Sequence, residues 1–137
     1  MTMKNIEKTF TVQEIETAHQ KVKSGAEFPG YIQEIIALGV CSFQTFVTDS
    51  HTQYYGENGY QVASRPQYLP LRIAEKSDAE AFHKFLKHHQ QGGCDYFTFC
   101  KYCAETGVDN WVVNMNEMTC TYYDKDHKEV LVELIPS

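Results

Sequence analysis

Apolar residues recur at helical spacing in the first third of the chain. From Phe28 to Ile36 they occupy positions i, i+3, i+4, i+7 and i+8, which is the spacing of one buried helix face. A shorter stripe follows Thr11, which forms a capping-box pattern with Glu14. The pattern predicts two helices, the first ended by Gly25 and the second by Gly39.

Two further helices are predicted in the second half of the chain. Ser77 and Glu80 repeat the capping-box pattern ahead of an apolar stripe that ends at His89. Another stripe follows Gly93 and has the same spacing as the one that begins at Phe28. Its members are Tyr96, Phe99, Cys100, Cys103 and Ala104.

Strands are predicted after each pair of helices. Residues 40–48 alternate between apolar and polar, and residues 51–64 contain Asn58-Gly59, which favours a type I′ hairpin turn. Residues 108–115 and 119–134 repeat this order as a strand and a hairpin. The connector, residues 65–76, predicts a possible edge strand through Tyr68, Leu71 and Ile73.

The two halves also align with each other at a fixed offset. Shifting the sequence by 68 positions places Gly25 on Gly93 and the pair Tyr54-Tyr55 on Tyr122-Tyr123 without a gap. This offset predicts an internal duplication, with repeats at about 11–64 and 77–134 joined by the connector.

Helices grouped ahead of hairpin-linked strands indicate the α+β class. Each repeat is predicted to be a helix-helix-strand-strand-strand unit, and tight turns pair strands antiparallel. We expect one domain over residues 1–137, with the helices packed on one side of the strands. The pattern leaves open whether the strands form one six-stranded sheet or two three-stranded units.

Charge and composition exclude several kinds of partner. The 12 basic and 18 acidic residues give a net charge of −6, which argues against binding to nucleic acid or to an anionic membrane. The chain has no apolar run long enough to cross a membrane and no signal-peptide pattern. With five cysteines, an odd number, the sequence predicts a cytoplasmic protein with reduced thiols.

Cys100-x-x-Cys103 could be half of a zinc site or a redox dithiol. Cys94 and His89 are near enough in sequence to complete a metal site. However, Cys100 and Cys103 lie on the predicted buried stripe of their helix, where a free thiol packs as a small apolar side chain. The interpretation favoured by the pattern is therefore structural, with no metal and no cofactor.

A second candidate site lies at the first hairpin. Carboxylate, imidazole and phenol groups together can perform acid–base chemistry or hold a polar ligand. The tyrosine pair recurs at the same offset in the second half, which favours a structural role for it on the sheet. The candidate ligand-binding residues are Asp49, His51, Tyr54, Tyr55, Tyr122 and Tyr123.

Short strings over nearly the whole chain also resemble a known family. They include Tyr31-Ile32-Gln33, Leu38-Gly39-Val40, His89-Gln90-Gln91-Gly92, Phe99-Cys100-x-x-Cys103-Ala104 and Met118-Thr119-Cys120-Thr121-Tyr122-Tyr123-Asp124. Together they resemble the YbcV-like family of small bacterial and prophage proteins, some of which carry the label "phage envelope protein". The resemblance implies no activity, cofactor or catalytic residue.

The sequence contains no phosphate-binding loop, metalloprotease motif or nucleophile elbow. It therefore favours a non-catalytic domain that binds a small molecule or a protein, with a homodimer as one possibility. A metal- or thiol-dependent protein that uses Cys100 and Cys103 is the second hypothesis. A small hydrolase or isomerase at Asp49, His51 and Tyr55 is the third.

Overall fold

A computed structural model of the protein describes residues 9–22 and 27–136. Each half of the chain has two helices followed by three strands, so the predicted α+β class is confirmed. The helices are α1 (Val12–His19), α2 (Phe28–Leu38), α3 (Ala79–Gln90) and α4 (Tyr96–Glu105). The strands are β1 (Ser42–Phe46), β2 (Thr52–Tyr55), β3 (Gln61–Ala63), β4 (Asn110–Asn114), β5 (Thr119–Tyr123) and β6 (Glu129–Leu134).

All six strands belong to one antiparallel sheet with the order β3-β2-β1-β4-β5-β6. The pairing of β1 with β4 joins the two halves, so the alternative of two separate three-stranded units is wrong. Asn58 and Gly59 have φ values of 56° and 77°, and a type I′ turn needs positive φ at both central residues.

The ladder registers agree with the 68-residue offset across most of the sheet. Phe43 lies opposite Tyr54 in the first half, and Trp111 lies opposite Tyr122 in the second. The agreement ends at a β-bulge between Tyr122 and Tyr123, where the pairing of β5 with β6 shifts by one residue. The duplication itself stays a prediction.

The predicted starts and ends of the first two helices hold in part. Thr11 and Glu14 form the expected capping box, and Gly39 ends α2 in the left-handed conformation with φ 112°. The prediction that Gly25 ends the first helix is wrong, because α1 already ends at His19 and the chain turns through Lys21. Gly25 itself lies outside the described residues.

The predicted cap of α3 is wrong by one residue. Asp78, and not Ser77, accepts a hydrogen bond from the backbone N–H of Ala81 at 3.1 Å. Asp and Ser are both preferred at this position, so the sequence pattern could not separate the two neighbours.

The edge strand predicted in the connector is also wrong, since residues 65–76 contain no strand. The connector packs against other elements instead. The backbone N–H groups of Gln67 and Leu71 donate to the turn between β1 and β2, and that of Ala74 donates to the C-terminal end of α4. Pro66 and Pro70 have no backbone N–H to give to a sheet ladder, which favours this irregular path.

The core lies between the helices and one face of the sheet. The helices contribute fully buried side chains, including Ile15 from α1, Ile32 from α2 and Phe82 from α3. The strands contribute Phe43, Tyr54, Val113 and Tyr122. The ring of Phe82 contacts those of Phe99 and Tyr122, so α3, α4 and β5 meet around it.

Candidate functional site

The sheet has two faces of different character because successive side chains of a strand point to opposite sides. The buried strand residues named above lie on the face that packs against the helices. On the opposite face, only Asn110 among the strand residues is buried. We call this second face the open face. Its strand residues are Ser42, Gln44, Phe46, Gln53, Tyr55, Gln61, Ala63, Asn110, Val112, Asn114, Thr119, Thr121, Tyr123, Glu129, Val132 and Leu134.

The strand positions of the open face carry almost no charge. Glu129 is the only charged residue among its strand positions, and it lies on the edge strand β6. The remaining positions are amides, hydroxyls, aromatic rings and aliphatic side chains. Val132 and Leu134 are 48% and 81% exposed on the same edge strand. The strand positions are thus polar rather than ionic, whereas Asp109 and Glu117 bring carboxylates to the two ends of the face.

Two ring stacks stand at one end of the open face. The His51 imidazole stacks on the Phe46 ring with centroids 4.7 Å apart and planes 13° apart. The His127 imidazole stacks on the Tyr123 ring at 4.1 Å and 8°. Asn110 lies between the stacks, because it pairs with Phe46 on one side and with Tyr123 on the other. We call these five side chains the end row.

Asn110 is held rigidly at the centre of the end row. Only 4% of it is exposed. Its side-chain oxygen accepts a hydrogen bond from Gln44 Nε2 at 3.0 Å, and its Nδ2 donates to Asp109 Oδ2 at 2.8 Å. Both the acceptor and one donor of the amide are therefore hydrogen-bonded within the protein. These two bonds hold Asn110 in place between the two ring stacks.

Asp49 and His51 come together as the sequence suggested. The Nδ1 atom of His51 lies 2.6 Å from Asp49 Oδ1, and the backbone N–H of His51 donates to the same oxygen at 3.0 Å. Burial would raise the pKa of the Asp49 carboxyl, but these hydrogen bonds and the His51 charge outweigh it and hold that pKa below its usual value. The carboxylate orients the imidazole.

The tyrosine pairs divide between the two faces. Tyr54 and Tyr122 are core residues, and burial raises the pKa of both phenols. Tyr55 and Tyr123 lie on the open face. The Tyr55 hydroxyl donates to Gln53 Oε1 at 3.1 Å.

The three residues of the hydrolase or isomerase hypothesis are not gathered at one point. Tyr55 lies four positions beyond His51 on the same face, with Gln53 between them, which corresponds to about 13 Å along a strand. Asp49 and His51 form a pair without the phenol.

The thiols of the Cys-x-x-Cys motif are core groups. Cys100 and Cys103 are both 0% exposed, and burial raises the pKa of each. Cys94 is separate from them, with its Sγ 3.6 Å from His89 Nδ1. Among the residues that the structure describes, no group of three or more His, Cys, Asp or Glu side chains could hold a metal ion.

A cluster that the sequence did not reveal lies under the turn between β1 and β2. Ser50 has a positive φ of 60° and is 5% exposed, and its Oγ lies 2.6 Å from the Tyr96 hydroxyl. The Tyr68 hydroxyl donates to the backbone carbonyl of Val47. These contacts join the turn to the connector and to α4, which no local pattern could predict.

The sequence analysis also failed to identify part of the end row. Phe46, Asn110 and His127 were not predicted as site residues, because each lay in an ordinary strand or turn pattern. Only the register of β1, β4 and β5 places them in line. Strand alternation predicted which positions share a face, but the order of strands could not be read from it.

The two grooves on the described surface lie away from the predicted site residues. One open groove is lined by Val12 and Glu16 of α1 and by residues 63–67. Another runs between α1 and α2, beside Lys21 and Glu34. Neither groove contains a residue of the predicted sites. Among the described helices, none has the length and apolar character to cross a bilayer.

Comparison with known proteins gives a family without an activity. No curated protein matches the chain. A family model described as "Protein of unknown function (DUF1398)" matches residues 16–134, which spans the second half of α1 and every element from α2 to β6. The chain belongs to this family of proteins of unknown function.

Proposed function

We propose that this protein is a non-catalytic binding domain and that the open face of its sheet binds the surface of another protein chain. The observation that carries the proposal is the near absence of charge at the strand positions of this face, in a chain with 30 charged residues made up of 12 basic and 18 acidic ones. A sheet face that is exposed only to water is expected to carry Lys, Asp and Glu at some of its strand positions.

The chemistry of the open face matches that of a protein interface. Interface cores are depleted of charged residues and enriched in aromatic ones, and Phe46, Tyr55 and Tyr123 supply such rings here. The amides Gln44, Gln53 and Asn114 add donors and acceptors in neutral form. Desolvating neutral groups costs less than desolvating ions, so such a face can be buried by a partner.

The position of the concave surfaces favours a protein over a small molecule as the partner of the open face. Small-molecule sites are concave and bury most of their ligand. Of the open-face residues, Ala63 at the β3 edge lines one of the two grooves described above, and both grooves open to solvent. The burial of Cys100 and Cys103 offers no support for a thiol or metal function. As parts of the same proposal, we infer a relation to the YbcV-like prophage proteins and a place in the cytoplasm.

Site-specific photo-crosslinking in cells tests the proposal. A benzophenone amino acid replaces Gln53 on the open face, and in a matched control it replaces Lys84 on the exposed side of α3. We expect a discrete crosslinked product from position 53 alone. The same products from both positions, or none from position 53, would contradict the proposal.

A further inference from the structure

We infer that the outer edge of β6 binds an extended segment of another protein by strand addition, with a Lys or Arg side chain of that segment placed against Glu133. The inference goes beyond the proposed function, because it concerns the edge of the sheet and not the open face. β6 is the last strand of the six-strand order, and no other described strand pairs with its outer side. Addition of a strand to a free sheet edge is a recurring way in which proteins bind extended peptides.

The backbone of β6 presents hydrogen-bonding groups at this edge. In an antiparallel ladder, residues whose N–H and C=O groups bond to the neighbouring strand alternate with residues whose groups point away from it. The N–H of Ile135 donates to the carbonyl of Met118 at 2.8 Å, so Ile135 and, by alternation, Glu133 bond to β5. The N–H and C=O groups of Val132 and Leu134 therefore point away from β5, towards the free edge.

The opposite edge of the sheet is protected in ways that β6 is not. Long free edges invite pairing, and proteins commonly shorten them or place prolines and neighbouring elements beside them. β3 has only three residues, Pro66 follows soon after it, and α1 lies across a groove from residues 63–67. β6 has six residues and no proline, and its Val132 and Leu134 are 48% and 81% exposed. β6 is thus the edge that offers a long template for pairing.

The charge on β6 specifies the chemistry of the added segment. The strand carries Glu129 and Glu133 and no basic residue. Gln90 Nε2 donates to both carboxylate oxygens of Glu133 at 3.2 Å, and the Tyr122 hydroxyl donates to Oε1 at 3.3 Å. Within the described part of the chain, neither glutamate has an ion-pair partner. A Lys or Arg opposite Glu133 supplies the countercharge, and opposite charges on neighbouring strands stabilise their pairing. A second copy would instead bring two more glutamates and a net charge of −6 to this edge.

The alternation of side chains along β6 gives the added segment a sequence pattern. Val132 and Leu134 lie on the open face, whereas Glu133 lies on the face that packs against the helices. In an antiparallel addition, the residues opposite Val132 and Leu134 contact these exposed aliphatic side chains, and the residue between them lies opposite Glu133. The segment that fits is therefore apolar, basic and apolar at three successive positions. Burial of the aliphatic contacts contributes to the free energy of binding.

Fluorescence anisotropy of a labelled peptide titrated with the purified full chain tests the inference. The probe is the capped peptide Ser-Thr-Val-Lys-Val-Thr-Ser, and the matched peptide has Glu in place of Lys. We expect the Kd of the Glu peptide to be about fivefold higher or more, because it places like charges opposite each other. Glu133→Gln should remove most of this difference, whereas Glu80→Gln, at an exposed position of α3, should retain it. No binding of the Lys peptide, or the same Kd for both peptides with the wild type, would overturn the inference.

N-methylation of the peptide backbone shows whether the peptide adds as a strand. The N–H groups of its two valines point to β6 in the inferred pairing, and that of its lysine points away. Methylating both valine amides should raise the Kd about tenfold or more, whereas methylating the lysine amide should change it less than about twofold. Equal weakening by the two methylated peptides overturns strand addition. Because both measurements concern the edge alone, their failure leaves the crosslinking test of the open face at position 53 unaffected.

Discussion

Gln44 of β1 donates a hydrogen bond from Nε2 to Asn110 Oδ1 of β4 at 3.0 Å, across the ladder that joins the two halves of the chain. Asn110 is 4% exposed, so water can hardly reach its side-chain oxygen to replace Gln44 as the donor. Both residues belong to the open face. The bond therefore connects the stability of the central ladder to the shape of the proposed binding surface.

Gln44→Ala should destabilise the protein by about 1–3 kcal/mol, because it leaves a buried acceptor without its donor. Gln53→Ala is the matched control on the same face, where the lost partner is the half-exposed Tyr55 hydroxyl, which water can reach. We expect a smaller loss for the control. Urea unfolding measures both, and equal free energies of unfolding would contradict the role assigned to Asn110.

Core packing around Phe82 predicts a large effect. Phe82 is 0% exposed and contacts Phe99 and Tyr122, so Phe82→Ala should cost about 3–5 kcal/mol through lost apolar burial and a cavity. Phe85 is the control on the same helix, half-buried and stacked on Tyr102 at 4.0 Å. Phe85→Ala should cost clearly less. The helix–sheet packing would be in doubt if thermal unfolding ranked the two variants in the reverse order.

The capping of α3 gives a test with neighbouring residues. Asp78 caps the helix, so Asp78→Ala should cost about 1 kcal/mol of stability. Ser77→Ala removes a similar polar side chain one position earlier and should change the free energy of unfolding by less than about 0.5 kcal/mol. Chemical denaturation distinguishes these outcomes. A larger effect at Ser77 would restore the cap suggested by the sequence pattern.

Thiol reactivity follows burial. Cys100, Cys103 and Cys120 are buried, and burial raises the pKa of Cys120 to about 12, so all three should be unreactive in the native state at neutral pH. Cys41 and Cys94 are half-buried and should react first. Titration with an aromatic disulfide reagent before and after denaturation measures this. Fast native reaction of Cys100 or Cys103 would revive the thiol hypothesis.

Stability should fall in mild acid because of His89. Burial against Phe99, on which its ring stacks at 4.5 Å, lowers the pKa of His89 below 6.5. The unfolded chain therefore binds this proton first, and stability is lost as the pH falls from about 6.5 towards the lower folded-state pKa. His89→Gln should flatten that part of the curve. An unchanged pH dependence in the variant would assign the effect to other groups.

Sequence patterns predicted helices and strands well where the period of the apolar residues agreed with the residues that begin or end an element. The stripe from Phe28 and the left-handed Gly39 defined α2 correctly, and the positions of Tyr54 and Tyr55 on opposite faces followed from strand alternation. Tertiary contacts decided the rest. Tyr68 binds the backbone of Val47 rather than a strand partner, which the local pattern of the connector could not indicate.

The candidate site was predictable only as fragments. The pairing of Asp49 with His51 is local, two positions apart, and the sequence placed the two residues together correctly. The end row depends on the order β1-β4-β5, which brings Phe46 beside residues more than sixty positions away. The near absence of charge at the strand positions of the open face became visible only once the register assigned every strand residue to a face.

The most direct test of the open face is oxidative footprinting by hydroxyl radicals, in living cells and on the dilute purified protein. Tyr55 and Tyr123 report on the open face, and Phe97, which is 44% exposed on α4, is the internal reference. If a protein surface covers the open face in cells, both tyrosines are modified more slowly there relative to Phe97. Equal relative rates in cells and in dilute solution would contradict the account.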